Sequence, residues 1–289
     1  MAPMKLLGML LSFVKFEHTV FALPFAYAGM VLAAAAIDQP ITAALVFWIT
    51  AAMVGARTLA MALNRLIDRG IDARNPRTAS RELPSGRLTT RSVFLLCAAS
   101  LALLVTATFQ LDPITEVLWP IPVALFVLYP YTKRFTWACH LVLGATIGLA
   151  PVGAWLAVTG SLTWTPVLLG VASALWVAGF DVIYATQDVD VDREQRLHSI
   201  PARFGVSRAL QLTRALHVLT LLCLVLAGLD ASLGAGYWVG VVLVGALLAY
   251  ENAIVGPDDL SRVNAAFFTT NGFIGIIFCT GVLADQALR

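Results

Sequence analysis

Two stretches decide how this chain reads: Asn64-Arg65-Leu66-Ile67-Asp68-Arg69-Gly70-Ile71-Asp72 and Asp181-Val182-Ile183-Tyr184-Ala185-Thr186-Gln187-Asp188-Val189-Asp190-Val191-Asp192. Each closes an apolar run with the periodicity of a helix, and each carries aspartates four residues apart. At helical pitch, residues i and i+4 lie on one face. Asn64, Asp68 and Asp72 therefore make one polar stripe, and Asp181, Asp188 and Asp192 make another. Two carboxylate stripes in an otherwise apolar chain point to hard divalent cations, which take oxygen ligands.

Working outward, the apolar context is the whole molecule. Of 289 residues, 59% are hydrophobic and 12% charged, with a mean hydropathy of +0.83. Soluble domains carry about 25% charged residues, so the chain reads as a polytopic membrane protein, all-α, one integral-membrane domain over 1–289. Spans of about 20 residues cross a bilayer. They are expected at 19–37, 41–63, 90–110, 114–131, 138–158, 165–187, 207–228, 233–253 and 263–284, a bundle of nine. Pro120, Pro122 and Pro130 interrupt the fourth. Met1 to Val14 reads as a short interfacial helix rather than a signal peptide, having no small-residue cleavage pattern. The cysteines Cys97, Cys139, Cys223 and Cys279 are scattered through apolar segments and read as reduced packing residues.

The basic residues orient the bundle. With these spans, every one of the 19 lysines and arginines except Arg289 falls on one side. Lys5 and Lys15, the Arg-rich loop after span 2, Lys133 and Arg134, the loop after span 6 and Arg262 all share it. By the positive-inside rule that side is cytoplasmic, which places the N-terminus inside and the C-terminus outside the inner (plasma) membrane. A span miscounted in the middle would scatter these residues over both faces. Both aspartate stripes then lie at the cytoplasmic face, at the ends of spans 2 and 6.

Four carboxylates converging there repel one another unless cations lie between them. Mg²⁺ favours a few carboxylates together with phosphate oxygens, and Lys or Arg takes the phosphate oxygens that remain. The apolar bundle beneath suits a long hydrocarbon tail. A diphosphate head with a greasy tail is a prenyl diphosphate. A charged loop between spans is ordinarily only solvated; two stripes matched in phase and side argue for a site. Arg57, seven residues before Asn64, lies inside span 2, where a charge is costly and marks function by default; snorkelling to the interface is the bland alternative. Tyr129, four residues before Lys133, fits either the site or an interfacial aromatic belt. His18, His140 and His217 lack ligand spacing and read as packing residues.

The motifs Asn64-x-x-x-Asp68-x-x-x-Asp72, Asn75-Pro76-Arg77-Thr78-Ala79-Ser80-Arg81-Glu82-Leu83-Pro84-Ser85-Gly86, Tyr129-x-x-x-Lys133 and Asp181-x-x-Tyr184-Ala185-x-x-Asp188-x-x-x-Asp192 together resemble the UbiA superfamily of intramembrane aromatic prenyltransferases. The resemblance implies nine helices, Mg²⁺ dependence, and transfer of a polyprenyl group from its diphosphate to an aromatic acid in quinone biosynthesis. It assigns one Mg²⁺ to Asp68 and Asp72 and another to Asp188 and Asp192. Asn64 would support the first, Lys133 would grip the diphosphate, and Arg57 and Asp181 would face the acceptor, with Tyr129 and Arg134 as further substrate-binding candidates. Arg65 departs from the commoner pattern, which has Asp there. With Phe16-Glu17-His18-Thr19 and Leu197-His198-Ser199-Ile200-Pro201-Ala202-Arg203-Phe204-Gly205, it resembles the branch called UbiA-like or MqnP, linked to menaquinone formation. The acceptor is then 4-hydroxybenzoate or 1,4-dihydroxy-6-naphthoate, both phenolic carboxylic acids.

Membrane lipid is the expected surrounding partner, nucleic acid is not expected, and the oligomeric state is open. A CDP-alcohol phosphotransferase would show DxxDGxxAR, which is absent. A divalent-cation transporter would place acids midway through spans, and essentially none are read there.

Overall fold

In the computed structural model, residues 8, 9, 13 and 19–289 are described, the side chains of 19–21 aside. The rest of the leading segment, with Phe16-Glu17-His18, lies outside the described residues. Among the described residues the regular structure is helical, apart from one isolated bridge between Gly256 and Asp259. Nine apolar helices follow one another: α1, Thr19–Ala36; α2, Ala43–Ile67; α3, Thr90–Thr108; α4, Ile114–Thr132; α5, Cys139–Thr159; α6, Trp164–Ala185; α7, Val206–Asp230; α8, Ala235–Ile254; and α9, Ala265–Ala287. Eight of these, α2 to α9, are long and apolar enough to cross a bilayer, and α1 contributes the shorter apolar stretch Ala22–Ala36. Each expected span has its helix, with ends shifted by a few residues.

Local chemistry sets the helix boundaries. Thr42 and Thr89 cap α2 and α3, their hydroxyls accepting from the Leu45 and Ser92 amides at 3.1 and 3.2 Å. The proline-rich fourth span breaks at Trp119 into Ile114–Leu118 and Pro120–Thr132, with Pro120 in the first turn, where its missing N–H costs nothing. The first aspartate stripe stays helical through its break: Asp68 N bonds Asn64 O at 2.9 Å and Asp72 N bonds Asp68 O at 2.8 Å. The second runs from α6 through a 3-10 turn, Thr186–Asp188, into Val189–Glu194.

Lipid is as apolar as leucine, so close packing rather than hydrophobicity brings membrane helices together. On α5, Gly144 and Gly148 meet Ala174 and Gly170 of α6. A Cβ added at Gly144 would lie 2.2 Å from the Ala174 carbonyl oxygen, so the two backbones touch. α1 packs on α5 and α9, with Phe25 stacked 5.1 Å from Trp176 and 4.8 Å from Phe278. The apolar packing falls into two main clusters: one joins α1 with α5–α9, the other joins α2 and α3 with Phe126 of α4. An apolar cavity of about 380 Å³ lies between them, walled chiefly by α2, α3, α4 and α5.

The helices also bury acids near their ends. Glu251, in the last turn of α8, has no exposed surface, and its Oε1 accepts from Asn271 Nδ2 at 2.8 Å. Asp285 of α9 is likewise buried, near the opposite end of the bundle. An apolar run with one acid near its end reads as a plain span, which is why Glu251 escapes a hydropathy scan.

Candidate active site

The stripes at the ends of α2 and α6 line one polar cavity of about 190 Å³. Asn64, Asp68 and Asp72 enter from α2 and its extension, Tyr129 and Lys133 from the end of α4, and Asp181, Asp188 and Asp192 from α6 and its extension. Each aspartate has a partner. Lys133 Nζ lies 2.6 Å from Asp68 Oδ2, and Arg134 Nη2 3.1 Å from Asp68 Oδ1. Arg81 Nη1 donates to both oxygens of Asp72, at 3.1 and 3.0 Å. Asp188 accepts from Asn75 Nδ2 at 2.9 Å and from Arg77 through both Nε, at 3.0 Å, and Nη2. Ser199 Oγ donates to Asp192 Oδ2 at 2.6 Å, and His140 Nδ1 lies 2.6 Å from Asp181 Oδ2.

The loop from 73 to 89 ties the two halves together. Thr78 Oγ1 donates to Asp72 O at 2.8 Å, and the Asn75 side chain accepts the Arg77 amide at 2.9 Å, aiming Asn75 and Arg77 across at Asp188. Arg65 anchors the same loop through a buried ion pair with Glu82, 3.3 Å, and its guanidinium lies 5.1 Å over Phe13. Arg77 also donates to Tyr184 OH at 2.9 Å and stacks on that ring at 5.0 Å. Burial alone would depress the Arg77 pKa, but its hydrogen bonds to Asp188 and that carboxylate's charge raise it. Burial pushes the Asp68 carboxyl above the usual carboxylate range, against the opposing pull of Lys133.

The carboxylates suit a hard cation, and Asp68 Oδ1, though 3.1 Å from Arg134 Nη2, is buried and accepts no hydrogen bond. Asp68, Asp72 and Asp188 are held by the protein's own cations, and among the described residues no three of His, Cys, Asp and Glu gather as one metal cluster. Arg134 takes a different position from its neighbour. Its Nη1 donates to Pro130 O at 2.6 Å and its Nη2 to Ile67 O at 3.1 Å, capping the ends of α4 and α2 rather than lining the cavity.

Residues 22–274 match the UbiA prenyltransferase family. The 4-hydroxybenzoate octaprenyltransferase of Pseudomonas entomophila is 35% identical over 238 residues, 81% of this chain and 78% of that protein. That of Vibrio campbellii is 31% identical over 230 residues, 78% and 79%. The chain belongs to the UbiA prenyltransferase family. It is a membrane-spanning prenyltransferase. An apo UbiA homologue from Aeropyrum pernix superposes with a TM-score of 0.84 at 34% identity, covering 93% of this chain and 98% of that one. A UbiA homologue from Archaeoglobus fulgidus, solved with DMAPP and Mg²⁺, shares the fold at a TM-score of 0.75 and 18% identity, covering 97% and 99%.

In this UbiA prenyltransferase the polar and apolar cavities share Tyr129, whose hydroxyl accepts from Asn64 Nδ2 at 2.6 Å. Arg57 lines the apolar cavity beside Tyr129, among Ala56, Ala60 and Phe126. Reading the sequence missed Asn75, Arg77, Arg81 and Ser199 as site residues, although all lie in quoted motifs; loop arginines look solvated until their partners are placed. His140 was read as packing, and the structure puts it on Asp181. It stands in the first turn of α5, with no periodic polar neighbour to draw attention to it.

Proposed function

We propose that this prenyltransferase carries a polyprenyl group from polyprenyl diphosphate to an aromatic hydroxy acid, 4-hydroxybenzoate or 1,4-dihydroxy-6-naphthoate, in respiratory quinone biosynthesis. The observation that carries this is the pair of adjoining cavities: a carboxylate-and-cation chamber and a larger apolar one that holds Arg57 share Tyr129 in their walls. The first suits a diphosphate, the second a hydrocarbon tail, and Arg57 a carboxylate at their junction. The curated relatives act on 4-hydroxybenzoate, and the Archaeoglobus homologue binds a prenyl diphosphate with Mg²⁺.

Asp68 with Asp72 and Asp188 with Asp192 would hold Mg²⁺, which supplies positive charge against the diphosphate. Asn64, bonded to Tyr129, would steady the first pair. Lys133, Arg77 and Arg81 balance the carboxylates in the resting chain and would turn to phosphate oxygens when substrate arrives. As the C1–O bond breaks, its electron pair leaves with the diphosphate, and these cations stabilise the growing negative charge. The acceptor carbon ortho to a hydroxyl attacks the allylic cation, and Asp181, facing the acceptor, takes the displaced ring proton. The apolar walls exclude water that would otherwise capture the cation. The protein would work in the inner membrane, as one domain over 1–289, with the site and the N-terminus on the cytoplasmic side.

The test uses membranes containing the protein, a long-chain prenyl diphosphate and Mg²⁺. Each candidate acid is supplied separately, with EDTA controls and mass spectrometry of the lipid extract. One prenylated acid, lost with EDTA, is expected. Product from neither acid would overturn the acceptor assignment, and product undiminished by EDTA would overturn the metal assignment.

A further inference from the structure

We propose that His140 is a positioning residue for the acceptor half of the reaction: its Nδ1–H holds Asp181 as the base that receives the proton of the prenylated ring. This rests on the prenyl transfer proposed above and adds to it a residue outside the four motifs.

The geometry begins with packing. Gly144 lies one turn after His140 on α5, and Ala174 and Ala178 lie two turns and one turn before Asp181 on α6. A Cβ at Gly144 would meet Ala174 O at 2.2 Å and Ala178 Cβ at 3.1 Å. Only a helix pair this close brings the two side chains together at 2.6 Å. His140 is 4% exposed, and its other ring nitrogen, Nε2, is buried with no hydrogen-bond partner. A carboxylate only accepts, so its contact at Nδ1 places a proton there, and Nε2 has no partner to compete for it. Asp181 keeps a quarter of its side chain open to the polar cavity. One carboxylate oxygen is thus tied to the ring, which fixes the plane and aim of the other.

The proton count closes. The C1–O bond breaks with its electron pair leaving on the diphosphate, and attack on the resulting allylic cation forms the bond from ring carbon to prenyl C1. The proton on the attacked carbon passes to the free oxygen of Asp181, and its C–H electron pair restores the aromatic ring. Neutral Asp181 still accepts from His140 and returns its proton to water that enters as diphosphate departs. His140 neither gains nor loses a proton, so its contribution is orientation.

This makes two substitutions at one site behave differently. In His140→Asn the amide nitrogen falls where Nδ1 was and still donates to Asp181. In His140→Gln, of similar size and polarity, the amide lies one bond further out and the donor is displaced. Supporting a functional group in this way is worth ~10–100-fold. The expected result is kcat lowered by that factor in His140→Gln and His140→Leu, kept within ~3-fold in His140→Asn, with the KM for prenyl diphosphate unchanged throughout. On an Asp181→Asn background, His140→Gln should cost nothing more, because it acts through the carboxylate. Loss in His140→Asn equal to that in His140→Leu, full activity in His140→Gln, or an additive double substitution would overturn the proposal. Parent turnover is scored first and reports on the prenyl-transfer reading alone. The ¹⁵N spectrum of histidine in the solubilised parent protein tests the dyad without turnover: a protonated Nδ1 on His140 is expected, and an unprotonated one would overturn it.

Discussion

Asp188 takes one hydrogen bond from Asn75 and a two-pronged grip from Arg77, which itself lies over the Tyr184 ring. Only a guanidinium does all of this, because its planar fork fits a carboxylate and its face fits an aromatic ring. Arg77→Lys keeps the charge but loses the fork and the stacking. We expect the KM for prenyl diphosphate to rise ~10-fold with the acceptor KM unchanged, measured by initial rates with each substrate varied. Arg57 poses the opposite problem, a cation lining an apolar cavity. Arg57→Met should raise the acceptor KM by ~10–100-fold, the worth of a charge-assisted hydrogen bond, and leave the prenyl diphosphate KM alone. The same variant should unfold at a higher temperature, because a charge lining the apolar cavity is removed.

At the scale of helices, the contact of α5 with α6 controls the site. Gly144→Val forces branched carbons onto the Ala174 carbonyl, and a helix pair in direct backbone contact answers only by separating. Overpacking of this kind costs about 1–3 kcal/mol. A lower thermal midpoint should accompany a fall in turnover as His140 and Asp181 part. Gly272→Ala in α9 is the matched control: nothing lies within 4 Å of its added Cβ, and its helix gains up to about 1 kcal/mol of propensity. The Ala265–Thr270 π-turn that opens α9 belongs to the same scale. Its Phe267 stacks on Tyr184 with centroids 4.2 Å apart, so this irregular turn backs the wall of the polar cavity.

Across the whole molecule, α6, α8 and α9 are tied by one buried side chain. Asn271 accepts from Trp176 Nε1 at 2.7 Å and donates to Glu251 Oε1 at 2.8 Å and to Ala266 O at 3.0 Å. Asn271→Leu strands all three partners away from water, each unmet group costing about 1–3 kcal/mol. A large drop in thermal midpoint is expected, by far the largest among the substitutions named here, read by a melting curve in detergent. Nothing in the sequence marks Asn271, a lone amide in an apolar helix. The spans, their order and the gathering of charge at one end were legible beforehand, because hydropathy and four-residue spacing are properties of neighbouring residues. The phase of Asn64, Asp68 and Asp72 was legible for the same reason. The pairings were not. Arg77 reaches Asp188 across 111 residues of chain, Asn64 reaches Tyr129 across 65, and His140 reaches Asp181 across 41. Sequence alone determined a membrane bundle with carboxylates at one end. Only the tertiary structure decided which partner each carboxylate holds and that a histidine belongs to the site. Those choices depend on how closely helices pack and how they turn about one another, and no local periodicity encodes that.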